Sequence, residues 1–195
     1  MTTPARGYAA YSANEPMAPF SFERRDLRPE DVQIDILYWG VCHSDLHTAH
    51  GEWDGLIYPN GTVYPCVPGH EIVGRVKAIG NTVSKFKVGD LVGVGCMVDS
   101  CQDCDACDHE LEQHCEHGAT WTYNSPDRIT GDNTYGGYSD VIVVREEFVL
   151  NVRHAEKDLA SVAPLLCAGI TMWSPLRHWN VTAGKKVGIV GIGGL

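Results

Sequence analysis

The sequence predicts a mainly β domain over residues 1–155, connecting helices over 156–185, and the first strand of an α/β domain, cut short, over 186–195. Three observations carry that prediction. Apolar residues alternate from Val32 to Tyr38 (Val32, Ile34, Ile36, Tyr38), the period of a half-buried strand. Four of the eight cysteines fall within fifteen residues, which marks a separate lobe over 96–118. The chain closes on "KKVGIVGIGGL", where the apolar run Val187 to Val190 leads into Gly191, Gly193 and Gly194, as a buried parallel strand leads into a glycine turn.

Each part follows in turn. After Val32–Tyr38 come "EIVGRVKAIG", "DLVGVG" and "YSDVIVVREEFVL", β-rich and separated by Gly, Asp and Asn turn residues, so the first part reads as irregular antiparallel β structure with loops. The texture changes near Asp158. "DLASVAPLLCAGITMWSPLRHW" has helical spacing (Leu159, Val162, Ile170, Trp173, Leu176) interrupted by Pro164 and Pro175, which predicts two short helices. Gly184 ends a turn before the closing apolar run.

Bulk properties narrow the class. With 44% hydrophobic and 21% charged residues over 195 positions, a packed core is available and disorder is not expected. A net charge of −10 argues against a nucleic-acid partner, which needs a cationic face. No run approaches the 18 or so apolar residues of a membrane span. "MTTPARGYAAYSANEP" lacks the charged-then-apolar layout of a signal peptide. The expectation is a soluble, cytoplasmic protein with reduced cysteines.

"CQDCDACDHELEQHC" spaces Cys101, Cys104, Cys107 and Cys115 as C-x2-C-x2-C-x7-C. Four thiolates from one loop close a tetrahedral shell around Zn²⁺ and leave no open position, the mark of a structural site. Such a site would hold a loop too short and polar to own a core. A ferredoxin-type iron–sulfur run has a shorter last gap and a proline after its fourth cysteine; here Glu116 follows. A nucleic-acid zinc module is opposed by charge, since Asp99 to Glu116 holds seven acids and no Lys or Arg. His109, His114 and His117 are expected as solvated loop histidines.

The remaining cysteines are Cys42 in "GVCHSDLH", Cys66, Cys96 in "VGVGC", and Cys167 in "PLLCAGIT"; "VPGHEIVG" supplies His70 and Glu71. Two cysteines and one histidine from separate segments would make a three-ligand zinc site with an open fourth position, the catalytic pattern. Spacing does not choose among Cys42, Cys66, Cys96 and Cys167.

"GVCHSDLH", "VPGHEIVG", the four-cysteine loop, "GGYSDVIVV", "APLLCAGITMWSPL" and "VGIVGIGGL", in this order, closely resemble the zinc-dependent medium-chain alcohol dehydrogenases. Within that family the motifs are most similar to the cinnamyl-alcohol-dehydrogenase branch and its bacterial aldehyde-reductase relatives. The resemblance implies a GroES-like irregular β-barrel catalytic domain with a zinc lobe, followed by the truncated start of a Rossmann domain. It implies Cys42, His70 and Cys167 as catalytic zinc ligands, with Glu71 a transient or neighbouring ligand and Asp45 orienting His70. Ser44 would hydrogen-bond the substrate oxygen, and His47 would end a proton relay to solvent. Cys101, Cys104, Cys107 and Cys115 would hold the second zinc, giving two Zn²⁺ per chain.

Gly191, Gly193, Gly194 and Leu195 would begin a pyrophosphate-binding turn, and His43 lies where it could approach cofactor phosphates. The cofactor implied is NADP; the residues that choose between NADP and NAD fall past Leu195. Trp53, Cys96 and Trp121 are placed in a substrate pocket for bulky or aromatic aldehydes, and Cys66 as a small buried filler. His50, His154 and His178 are left to structural or surface positions. The expected reaction is hydride transfer between NADP(H) and a primary alcohol/aldehyde pair. The family also implies a homodimer in the full-length protein, and a 195-residue chain inactive by itself. The rival reading is a zinc-stabilised binding module without redox activity, for which Ser44 and His47 beside an open metal site have no use.

Overall fold

The fold was analysed in a computed structural model that describes residues 2–191. The strands are β1 (Thr3–Ala9), β2 (Ala18–Arg24), β3 (Asp31–Trp39), β4 (Ile72–Ile79), β5 (Leu91–Val94), β6 (Met97–Asp99), β7 (Thr120–Trp121), β8 (Val141–Arg145) and β9 (Val149–Asn151). The helices are α1 (His43–Ala49), the single turn α2 (Asp105–Asp108), α3 (Leu159–Val162) and α4 (Ala168–His178). A five-stranded antiparallel sheet in the order β8-β3-β4-β5-β9 forms the centre, with β1–β2 and β6–β7 as separate hairpins.

The alternation in β3 does what its period predicts for its first half. Val32 and Ile34 are fully buried and pack with Ile72, Val76, Val92, Val94, Ile142 and Val144 in the main core. Between Ile36 and Tyr38 the register with β4 shifts, and Tyr38 turns out to solvent. Such a bulge bends the strand and ends the alternation. The bend lies just before Gly40 and α1, which carry part of the site.

The β1–β2 hairpin is fastened by Arg24. Its buried guanidinium donates to the Val141 and Gly136 carbonyls and to Ser139 Oγ, each at 2.9 Å, and burial pulls it down to about 9. Behind β9, Leu159, Val162 and Ala163 pack on Val73 of the sheet, with Leu166 beside them. That packing fixes the segment just before Cys167.

Two sequence expectations are corrected here. Pro164 opens the 3₁₀ segment Ala163–Leu166, and the helical path bends by 62° between Glu156–Leu166 and Ala168–His178, but Pro175 lies inside α4 without ending it. The bond that proline removes is on a helix with no buried residue, where water replaces it at low cost. Val187 to Val190 form no strand: the segment has no regular structure and bends at Val190, with Val187 53% and Val190 100% exposed. A parallel strand needs partners on both edges and cover on both faces, and no described residue offers them. Gly193, Gly194 and Leu195 lie outside the described residues. No single helix among the described residues is long and apolar enough to cross a membrane.

Candidate functional site

Two clusters of metal-ligating side chains form. In the lobe between β6 and β7, the ligand atoms of Cys101, Cys104, Cys107 and Cys115 lie within 4.8 Å of one another. Sγ of Cys101 and Cys107 are 3.8 Å apart. A tetrahedral zinc site with Zn–S near 2.3 Å has S···S edges of about 3.8 Å, so this pair already stands at the spacing of such a shell, with the other two thiols within 4.8 Å. The backbone supports the ligated form. N–H groups of Glu116 and Cys107 pull the Cys104 thiol down to about 6. Burial raises the Cys115 thiol, but the N–H groups of Cys101 and His117 and the neighbouring Cys101 and Cys107 thiols together bring it below its ordinary value. Asp103 and His117 approach Cys101 on the exposed side, so His117 is closer to the sulfurs than a free loop histidine, while the four buried or half-buried thiols form the complete set.

The second cluster is Cys42, His70, Glu71 and Cys167, whose ligand atoms also lie within 4.8 Å of one another. Each comes from a different structural cause. Cys42 caps α1, and Asp45, three residues on, accepts its backbone N–H at 2.9 Å. His70 and Glu71 enter β4. Cys167 occupies the bend before α4, with its Sγ 4.0 Å from that of Cys42. Burial, with Cys42 alongside, pushes the Cys167 thiol up to about 12. Cys66 lies elsewhere, fully buried and also pushed up to about 12, as expected of a filler.

Asp45 organises this cluster. It is completely buried and accepts the Gly69 N–H at 3.0 Å, His70 Nδ1–H at 3.1 Å and the Tyr138 hydroxyl at 3.1 Å, besides the Cys42 N–H. With Nδ1–H donated to Asp45, Nε2 of His70 is the free lone pair. Gly69 holds φ at +104°, and a methyl there would stand 2.6 Å from the Tyr138 ring, so only glycine brings its N–H to Asp45. Both oxygens of Glu71 are buried without a hydrogen-bond partner. A carboxylate is rarely buried with no partner, and this one stands beside three metal-ligating groups. The two thiols, the free imidazole nitrogen and the orphaned carboxylate therefore fit a divalent metal.

The cluster opens into a cavity of about 220 Å³ with few polar groups. Trp53, Ile57, Tyr58, Trp121 and Tyr123 supply its apolar walls, and Ser44, His70, Cys96 and Cys167 its polar edge. All three residues the sequence placed in a pocket (Trp53, Cys96, Trp121) line it. Ser44 Oγ is 3.4 Å from Cys42 Sγ. His47 follows one turn later on α1, stacked between His43 (4.7 Å, 25°) and Trp53 (5.2 Å, 26°). Its Nδ1 is bonded to Glu52, which is held below the usual carboxylate range by that bond, and His50 stands 3.6 Å from the other Glu52 oxygen. A larger hollow of about 470 Å³ lies by Arg25, Asp99 and Asp127, lined by no residue of either cluster. There Arg25 and Arg28 are committed to Asp31, Asp99 and Asp127.

Sequence reasoning missed Glu52, Ile57, Tyr58, Tyr123 and Tyr138. Only Glu52 left a signal, an acid a few positions past a histidine in a loop that folds back. Of the predicted cofactor-turn residues, Gly191 is described: it is exposed and has φ +78°, the left-handed conformation a glycine turn uses.

Comparison with known proteins adds the following. The model of a family described as alcohol dehydrogenase GroES-like domain matches residues 28–154. Aldehyde reductase YahK of Escherichia coli K12 is 58% identical over 97% of this chain, which covers 52% of that protein. NADP-dependent alcohol dehydrogenase C of Mycobacterium bovis is 53% identical over 96% of the chain, again covering 52% of the relative. The crystal structure of CAD from Helicobacter pylori complexed with NADP(H) superposes with a TM-score of 0.89 at 46% identity, over 99% of this chain and 54% of that one. A cinnamyl alcohol dehydrogenase from Sorghum bicolor gives 0.90 at 43%, over 98% and 53%. The chain thus spans about half the length of the curated relatives it matches.

Proposed function

Because this chain belongs to the alcohol dehydrogenase GroES-like domain family, we propose that it provides the metal-binding and substrate-holding part of a zinc-dependent, NADP-linked alcohol dehydrogenase or aldehyde reductase. The observation that carries this is one juxtaposition: His70 and Cys167 of the Cys42–His70–Glu71–Cys167 cluster line an aromatic-walled cavity that also presents a serine hydroxyl. The apolar walls suit the hydrocarbon part of a bulky or aromatic aldehyde, and the polar edge suits its oxygen.

Zinc, held by Cys42, His70 and Cys167 with Glu71 beside them, would polarise the substrate oxygen, and NADP(H) would supply or take the hydride. This chain's residues do the rest. Trp53, Trp121 and Tyr58 exclude water and orient the carbonyl carbon. Ser44 Oγ hydrogen-bonds the substrate oxygen and takes the alcohol proton. His47, one turn along α1, receives that proton at Nε2 while Glu52 holds its Nδ1. The relay therefore runs one residue further than His47, and Glu52 stands in solvent at its end, with side chains of both residues exposed enough to exchange protons (35% and 52%). Asp45 keeps His70 in the tautomer that leaves Nε2 free. Gly191, Gly193, Gly194 and Leu195 would open the pyrophosphate turn, with His43 nearby. Cys101, Cys104, Cys107 and Cys115 would hold a second, structural zinc. All eight cysteines are free thiols, which suits a reducing compartment such as the cytoplasm.

We also propose that the 195 residues turn nothing over by themselves, since they span about half of the relatives' length, and that the longer protein pairs as a homodimer. The test is NADPH-dependent reduction of a simple aromatic aldehyde. A full-length protein carrying this chain should be active and lose about 10²–10⁴-fold in kcat as Ser44→Ala, while the 195-residue chain should show none. An active full-length enzyme indifferent to Ser44→Ala would overturn the relay. No activity with any primary alcohol or aldehyde would leave the binding-module reading.

A further inference from the structure

Gly40 stands between the end of β3 and α1, and its N–H donates to the Glu71 carbonyl at 2.9 Å. A methyl group there would lie 1.8 Å from Glu71 Oε2, 3.0 Å from Cδ and 3.1 Å from Cβ. All three collisions are with one side chain. Gly40 is not among the glycines with positive φ, so its backbone conformation is open to alanine. The conflict that demands glycine at this position is with Glu71.

Glu71 is the anomaly of the interior. It is 1% exposed, and neither carboxylate oxygen has a hydrogen-bond partner. Burial of that kind is strongly unfavourable unless a cation or donor compensates it. The groups facing it are the ligand atoms of Cys42, His70 and Cys167, within 4.8 Å.

We propose that Gly40 is a positioning residue whose missing side chain forms the seat of the Glu71 carboxylate and so supplies the metal cluster with its fourth donor. This rests on reading that cluster as metal-binding. A methyl at position 40 takes the seat and moves the carboxylate away, which leaves Cys42, His70 and Cys167 as a three-donor set. The severe collision is with the free end of a flexible side chain, and Cβ at 3.1 Å has to give only slightly, so the fold survives.

The test uses the 195-residue chain in a cycle of Gly40→Ala, Glu71→Ala and the pair. Zinc affinity at this cluster, measured by chelator competition, should fall about 10–100-fold in each single variant and no further in the pair. With Co²⁺ in the same cluster, the visible absorption of Gly40→Ala should move to that of Glu71→Ala. In metal-free protein, Gly40→Ala should lower the melting temperature only where Glu71 is present. An equal thermal cost in both backgrounds, failure to fold in both, or unchanged zinc affinity in Gly40→Ala would overturn the proposal. Failure of the metal reading has another signature: no cobalt–thiolate band lost in Cys167→Ser, whatever stands at position 40, and that result removes both.

Discussion

The two donor clusters are built in opposite ways. Cys101, Cys104, Cys107 and Cys115 come from fifteen residues of one loop, whose only regular structure is the turn α2 and a 3₁₀ turn at Glu112–His114. No residue of either turn is buried except at the cysteines that flank them. The other cluster takes its donors from positions up to 125 residues apart and holds them through the sheet, the cap of α1 and the four donors around Asp45. A local cluster makes structure when it is filled. A dispersed cluster is made by structure that already stands. Removing a ligand should therefore separate folding from metal binding in one case and not in the other.

The largest effect expected is from Cys104→Ser. With the proposed structural zinc, metal affinity and lobe folding would be linked there, so the variant should lose the lobe and several kcal/mol of stability. That corresponds to a melting temperature lower by roughly 10 °C for a chain of this size. Elemental analysis should fall from about two zinc per chain to about one. If Cys167→Ser costs as much stability as Cys104→Ser, the contrast between the clusters is wrong.

Next comes Asp45→Ala, which strands the buried N–H groups of Cys42 and Gly69 and the Tyr138 hydroxyl, and releases His70. The expected loss is about 2–4 kcal/mol by denaturant titration, together with a 10–100-fold weaker metal at the dispersed cluster and none at the lobe. Equal weakening at both clusters would show that the second depends on general stability and not on this carboxylate.

The smallest effect lies outside both clusters, in the segment between β7 and β8. Asp127 accepts from the Ile129 and Thr130 N–H groups and from Arg28, and these outweigh its burial and hold it below its ordinary value. A carboxyl lowered on folding stabilises fully above its ordinary value of 3.8 and progressively less as pH falls through the lowered one. Asp127→Asn should cost about 1 kcal/mol near neutral pH, and the gap to wild type should close in acid. A gap independent of pH would mean that the interaction is not ionic.

The same contrast decides what could be read from the sequence. The four-cysteine spacing was legible because all its geometry is local. Cys42, His70 and Cys167 were legible only through resemblance to a family, because Cys66 and Cys96 are equivalent to them until the chain is folded. Tyr58, Tyr123 and Tyr138 left no signal, since their hydroxyls and rings reach the site from loops whose paths are set by tertiary packing. Val187 to Val190 show the complementary limit: the apolar run is there to be read, but a strand is a property of its neighbours, and no described residue pairs with this one. The period in β3 held to Ile34 and was lost at a bulge that no alternation rule anticipates.

Cys167 has one more consequence. It belongs to the bend between α3 and α4, and a metal shared with Cys42 would close a loop of 125 residues across the molecule. Such a bridge constrains the chain as a long-range disulfide does, but it opens by proton competition or chelation and needs no electron. With that metal bound, the segment carrying α4 would be clasped to the start of α1 by a fastener that can be undone and remade in a reducing solution.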